Sequence, residues 1–139
     1  MSVVPAEPSH PTPSDHPPAV LVIDDDASLR AAVRRFLERE GYHVIESASG
    51  RDALTRLREG IDVELVVTDL KMKDGSGGWL LAQLGYEFPG LLGRTLVVSG
   101  DAGSAATAHV VARWRCALLP KPFGAAELID ALQELVRVG

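Results

Sequence analysis

Ala19-Val20-Leu21-Val22-Ile23 runs directly into Asp24-Asp25-Asp26. Five apolar side chains in a row leave no polar face, which is the mark of a short strand covered on both sides. Three carboxylates then stand where that strand would leave a sheet. Downstream of them Leu29, Ala32, Val33, Phe36 and Leu37 recur at helical spacing, with Arg30, Arg34, Arg35, Glu38 and Arg39 on the other face. Gly41 is placed to end that helix.

The same alternation continues to the end of the chain. Val44-Ile45 reads as a weaker second strand. Ser49 and Asp52 open a helix whose inner face is Ala53, Leu54 and Leu57, and Gly60 closes it. Leu65-Val66-Val67 is a third strand, closed by Thr68 and Asp69. A loop from Leu70 to Ser76 leads to a helix around Trp79 to Leu84. Thr95-Leu96-Val97-Val98 predicts a fourth strand, closed by Ser99, and an alanine-rich helix follows from about Ser104 to Arg113. Ala117-Leu118-Leu119 is a fifth strand cut by Pro120, and Leu128, Ile129, Leu132, Leu135 and Val136 line the last helix. Five strands alternating with five helices predict an α/β fold, a parallel sheet with helices on both faces.

Composition bounds the rest. The chain has 139 residues, and its net charge of −5 and lack of a Lys/Arg stripe give no nucleic-acid footprint. One cysteine, Cys116, excludes an internal disulfide framework and a cysteine metal cage. No apolar run approaches the roughly 20 residues that span a bilayer, so membrane insertion is not expected and the cytoplasm is the default location. Residues 1–18 hold six of the nine prolines and read as an extended, flexible leader ahead of a domain at 19–139. His10 and His16 in the leader, and His43 and His109 beyond it, read as non-ligand side chains. Trp79 and Trp114 read as packing residues, and Cys116 as a small buried hydrophobe.

Parallel sheets present functional groups outside the carboxyl ends of their strands. Here those ends carry Asp24-Asp25-Asp26, Asp69, Ser99 and, after Pro120, Lys121. A strand order of 2-1-3-4-5 would gather them on one edge. Carboxylates crowded within a few ångströms repel, and a hard divalent cation such as magnesium relieves that repulsion through one or two acids plus water and phosphate oxygens. A carboxylate left over can act as a nucleophile toward phosphorus and form an aspartyl phosphate. Lys121 and Ser99 would supply donors to the phosphoryl oxygens, as would the backbone around Gly100.

Four stretches, in order, resemble the receiver domain of two-component response regulators. They are Val20-Leu21-Val22-Ile23-Asp24-Asp25-Asp26, Val66-Val67-Thr68-Asp69-Leu70-Lys71-Met72, Val97-Val98-Ser99-Gly100 and Leu119-Pro120-Lys121-Pro122-Phe123. The resemblance covers Ala19 to Gly139. It implies a flavodoxin-like (βα)5 doubly wound five-stranded sheet of order 2-1-3-4-5. It implies Asp69 as phosphoacceptor, Asp25 as a direct and Asp24 as a water-mediated magnesium ligand, and the backbone carbonyl of Lys71 as a further ligand. Ser99 and Lys121 would contact the phosphoryl group, and the Lys121-Pro122 bond would be cis. The implied partners are a sensor histidine kinase or histidine phosphotransfer domain as donor and an unidentified downstream protein. Such a domain catalyses its own phosphorylation and dephosphorylation and has no separate substrate. With the chain ending after the fifth helix, the expectation is a receiver acting alone.

Asp26 lies outside the family's pair and reads as charge or cap for the first helix. Three departures stand out. Lys73 occupies the place of the usual proline, which frees the loop backbone. Leu118 replaces the usual aromatic three residues before the lysine. Lys71 and Asp101, two residues past Asp69 and Ser99, can pair and shield an acyl phosphate from water, or can be two solvated side chains. Arg30 and Arg34 are candidate contacts for a docking donor. Two other readings compete. Asp24-Asp25-Asp26-Ala27-Ser28-Leu29 also fits the signature of haloacid-dehalogenase-like phosphatases, with Asp24 as nucleophile and Asp26 as acid/base, but that leaves Asp69 unexplained. The third is a receiver-like interaction module that is not phosphorylated.

Overall fold

The structure, a computed structural model, describes residues 17–138. The leader expectation, with His10 and His16, lies outside the described residues except for Pro17 and Pro18. The elements follow in the order β1 (Ala19–Ile23), α1 (Ala27–Arg39), β2 (His43–Ser47), α2 (Gly50–Arg58), β3 (Leu65–Asp69), α3 (Gly77–Glu87), α4 (Pro89–Leu92), β4 (Thr95–Ser99), α5 (Ala105–Trp114), β5 (Ala117–Pro120) and α6 (Ala125–Val138). The five strands form one sheet in the order β2-β1-β3-β4-β5, and every pairing is parallel.

Side chains alternate across the sheet with period two, and helices cover both faces. Val20 and Val22 of β1 join Leu65 and Val67 of β3 beneath α1 (Val33, Leu37) and α6 (Leu128, Ile129, Leu132). Leu21, Ile23 and Val66 face the other way, onto α2 (Ala53, Leu54, Leu57) and α3 (Leu80, Leu84). A smaller cluster unites Leu81, Val97 and Cys116 with Trp114 and Leu118 under α5. Burial pushes the Cys116 thiol up to about 11, so it remains a protonated apolar side chain at neutral pH. Truncating a fully buried leucine such as Leu37 would cost about 2–5 kcal/mol.

Four helices begin on a side chain that accepts from their free amides. Asp26 accepts from Ser28 N (3.0 Å) and Leu29 N (3.2 Å), and Ser49, Ser76 and Ser104 accept from Asp52, Trp79 and Thr107 N. Each such cap contributes about 1 kcal/mol. Asp26 is therefore the helix cap anticipated from its position.

The helices differ from the sequence reading in two places. α4 is an added turn of four residues started by Pro89, too short to show a period. α3 begins at Gly77 and not near Trp79. Its paired glycines look like loop in sequence, but a Cβ on Gly77 would come 2.3 Å from Asp69 O and 2.7 Å from Leu70 Cα. Glycine is there because the helix start passes against the end of β3. The two indoles each lie under a guanidinium, Trp79 at 4.8 Å from Arg51 and Trp114 at 4.9 Å from Arg113. His43 and His109 are exposed.

Candidate functional site

Register brings the strand ends together. Ile23 pairs with Thr68, so Asp24 follows on beside Asp69. Asp69 pairs with Val98, and Ser99 comes next. Ser99 pairs with Pro120, and Lys121 comes next. Asp24, Asp69, Ser99 and Lys121 thus stand along one edge, stepping across β1, β3, β4 and β5.

The side chains meet there. Lys121 Nζ lies 3.0 Å from Asp69 Oδ2 and 3.6 Å from Asp24 Oδ2. Asp24, Asp69 and Ser99 are buried, whereas Asp25 is exposed. The Lys121-Pro122 bond is cis, and Lys121 N donates to Ser99 O at 2.9 Å, so the lysine is tied to the strand that carries the hydroxyl. Ser99 Oγ accepts from Asp101 N at 3.0 Å, which leaves its own proton available to donate.

Each carboxylate of the cluster also has one oxygen anchored by a main-chain amide. Asp26 N donates to Asp24 Oδ1 (2.9 Å), Lys71 N to Asp69 Oδ1 (3.4 Å) and Lys73 N to Asp25 Oδ2 (3.3 Å). The other oxygens of Asp24 and Asp69 face the Lys121 ammonium. The Asp24 carboxyl is held above the usual aspartate range. Burial is the main cause; the Asp26 amide and Lys121 pull the other way, and the charges of Asp69 and Asp25 add to the rise.

Two of the three acids, Asp24 and Asp69, share the Lys121 ammonium and the third, Asp25, meets a main-chain amide, so the cluster keeps an excess of negative charge. Its donors are hard oxygens from neighbouring strand ends, with the Lys71 backbone two residues beyond Asp69. That donor set suits magnesium, which takes one or two carboxylates and fills its shell with water and phosphate oxygen. Among the described residues no group of three or more His, Cys, Asp or Glu side chains is arranged as a ready cage. The fit therefore rests on carboxylates plus backbone and not on a closed side-chain shell. A cleft of about 390 Å³ lies at the amino ends of the strands, between Leu57, Ile61, Phe88 and Leu91, away from these acids. Chemistry, and not cavity size, marks the acidic edge.

The loop after Asp69 is tied at several points. Gly77 N donates to Leu70 O (2.9 Å), Gly50 N to Gly75 O (3.0 Å) and Arg51 N to Asp74 O (3.3 Å), and Arg51 Nε reaches Asp74 Oδ1 at 3.1 Å. The backbone freedom expected from the missing proline is countered by these contacts. Lys71 Nζ and Asp101 Oδ2 are 2.5 Å apart, so the pair anticipated across the two loops is formed, with both side chains largely exposed. Arg30 and Arg34 are engaged within the domain. Arg30 Nη1 donates to Asp24 O at 2.6 Å and its Nε to Glu46 at 2.8 Å, and Arg34 also binds Glu46. Sequence reasoning missed Glu46 as the partner of this clamp. The i, i+4 spacing of two arginines opposite a strand-end glutamate was the available signal. Asp26 is committed to the α1 cap, which gives the phosphatase assignment of an acid/base at that position no support.

A family model described as the response regulator receiver domain matches residues 20–133. Over 118 residues the chain is 34% identical to the sensor kinase CckA of Brucella abortus, a match covering 84% of this chain and 12% of that protein. It is 28% identical over 120 residues to the response regulator RR06 of Streptococcus pneumoniae, covering 85% of this chain and 52% of that protein. A response regulator receiver domain protein (CheY-like) from Methanospirillum hungatei superposes with a TM-score of 0.77 at 26% identity, over 88% of this chain and 99% of that one. The chain spans about half or less of these two curated relatives. Among the described residues no helix is long and apolar enough to cross a membrane.

Proposed function

The chain belongs to the response regulator receiver domain family of two-component signalling, and from that premise we propose that Asp69 accepts a phosphoryl group from a phosphohistidine donor. The observation that carries the proposal is the Lys121 ammonium between Asp69 Oδ2 and Asp24 Oδ2 at 3.0 and 3.6 Å. That cation marks where charge on a phosphoryl group attached to Asp69 would be met.

An Asp69 carboxylate oxygen attacks phosphorus, a new O–P bond forms, and the P–N bond to the donor imidazole breaks. The bonding pair leaves on the imidazole nitrogen, which takes a proton from solvent. Charge spread over the equatorial phosphoryl oxygens needs preorganised donors. Lys121 Nζ supplies one and the Ser99 hydroxyl another, its oxygen already fixed by Asp101 N. Asp24, Asp25, Asp69 and the Lys71 carbonyl are the groups that would hold magnesium, whose positive charge would offset that of the acids and the phosphoryl oxygens. The domain is its own substrate: it promotes transfer to Asp69 and later hydrolysis of the acyl phosphate.

The donor is a sensor histidine kinase or a histidine phosphotransfer domain, and the readout is binding of another protein. Phosphorylation shifts an equilibrium in the loop after Ser99, α5 and β5, as far as differential contacts allow. With Leu118 where relatives carry an aromatic, packing around Trp114 is available to carry that shift. The Lys71–Asp101 pair joins the loops that follow Asp69 and Ser99 and restricts the approach of water to the phosphoryl group.

Intact-protein mass spectrometry after incubation with acetyl phosphate and magnesium tests the proposal. The expected result is a gain of one phosphoryl group, mapped to Asp69 and abolished in Asp69→Asn. No gain, with amide chemical shifts that do not respond to beryllofluoride and magnesium, would establish a receiver-like module that works without phosphorylation.

A further inference from the structure

Lys73 stands where the resemblance leads one to expect proline, and proline has no N–H. Here that N–H is used: it donates to Asp25 Oδ2 at 3.3 Å, across 48 residues of chain. Asp25 is the exposed member of the acidic pair, and this is the contact that holds its carboxylate. The other two carboxylates show the same device, with Asp24 Oδ1 on Asp26 N and Asp69 Oδ1 on Lys71 N. In all three, one oxygen is fixed by the main chain and the other is left for a cationic partner. Carboxylates that bind metals are oriented by hydrogen bonds of this kind, and losing such a bond costs affinity.

We infer that the backbone N–H of Lys73 is a positioning donor that orients Asp25 toward a divalent cation and ties the 70–76 loop to the acidic pair. The inference rests on the cation-dependent reading of the site given above and adds to it a residue with a defined part. The loop carries Lys71, so the tie through Lys73 links the geometry of Asp25 to that of the backbone next to Asp69. The lysine side chain is not what acts. It is exposed, and its ammonium repels a cation if it does anything.

Two substitutions separate the amide from the side chain. Lys73→Ala removes the ammonium and keeps the N–H; Lys73→Pro removes both. Magnesium affinity of the full chain is measured by calorimetric titration, with far-UV circular dichroism to establish that each variant is folded. Lys73→Ala should bind as tightly as wild type or up to about twofold tighter. Lys73→Pro should bind roughly three- to tenfold more weakly, the range expected for losing one long hydrogen bond to a charged group. A stiffer loop alone would give the opposite sign, because proline lowers the entropy of the unbound loop. A folded Lys73→Pro that binds as tightly as wild type overturns the inference, and so does equal weakening in both variants.

Hydrogen exchange of the wild-type Lys73 amide supplies a readout that does not depend on how the proline variant folds. Protection that rises with magnesium supports the positioning role, whereas exchange at the unprotected rate in saturating magnesium overturns it. Wild-type protein that takes up no magnesium would refute the broader reading of the site. Uptake with an indifferent Lys73 amide refutes only this one.

Discussion

Gly77→Ala sets two known effects against each other. Gly77 is the first residue of α3 and has no positive φ, so on helix propensity alone alanine should gain up to about 1 kcal/mol. The new Cβ, however, would lie 2.3 Å from Asp69 O, about 0.7 Å inside the 3.0 Å that real Cβ atoms respect, and 2.7 Å from Leu70 Cα. Both obstacles are backbone, so no side chain can rotate aside. Overpacking of this kind costs about 1–3 kcal/mol and more when the backbone must move. The steric effect wins, and a net loss of about 1–2 kcal/mol is expected. The displaced residue is Asp69 itself. A misplacement approaching 1 Å at a reacting group costs up to about 100-fold in rate, so phosphorylation from acetyl phosphate should slow by about 10- to 100-fold. Gly78→Ala is the control, because its nearest neighbour would be Ser76 Oγ at 4.0 Å. It should be neutral or stabilised by up to about 1 kcal/mol and phosphorylate normally. Urea unfolding and intact-mass phosphorylation kinetics measure both variants. A Gly77→Ala protein that is more stable than wild type and phosphorylated at the wild-type rate would refute the close approach of α3 to Asp69.

The raised Asp24 carboxyl makes stability depend on pH. The folded protein holds this proton more tightly than the unfolded chain, so its contribution is complete below the unfolded value of 3.8 and is lost as pH rises through the higher folded value. Urea midpoints should therefore carry a component that falls with pH over that window, and Asp24→Asn should remove it; an unchanged profile in the variant counts against the assignment. Magnesium requires the ionised acid, so its affinity by calorimetry should climb across the same window. Lys71→Ala and Asp101→Ala should each shorten the lifetime of the phosphorylated form severalfold while changing stability by less than about 1 kcal/mol, because the pair is exposed; unchanged decay in both would eliminate the shielding role. Arg115 ends α5 at φ 55, in the left-handed region. Arg115→Gly should stabilise the protein by about 1 kcal/mol in thermal unfolding, since glycine occupies that region without strain; a lower melting temperature would mean that the Arg115 side chain contributes more than its backbone costs.

Much of the fold was legible because local signals and tertiary packing agree. The run Ala19–Ile23 is buried throughout, as a strand covered on both sides must be, and Gly41 and Gly60 follow helices with positive φ. Asp24, Asp69, Ser99 and Lys121 could be grouped in advance because parallel pairing and the strand order fix which ends are neighbours. What escaped the sequence reading depends on contacts far apart in the chain. The tie from Lys73 to Asp25 has no local pattern, and for the clamp on Asp24 O and Glu46 the spacing of Arg30 and Arg34 does not name the partner 12 to 16 residues on. The lysine at 73 looked only like a lost proline, since sequence shows what a proline would have fixed and not what an amide can reach. The glycine at 77 looked like loop because the atom that forbids a side chain there belongs to the preceding strand.

The two tryptophans have a practical consequence. Trp79 and Trp114 sit in different clusters, one on the helix that follows the Asp69 loop and the other at the end of α5, and each indole lies under an arginine. A guanidinium over the ring makes emission sensitive to small shifts of that charge. The chain therefore carries two intrinsic optical reporters, and single Trp→Phe versions would let each be followed in real time without an attached dye. A donor-binding event that perturbs one wavelength trace before the other would reveal the order in which the two sides of the domain respond.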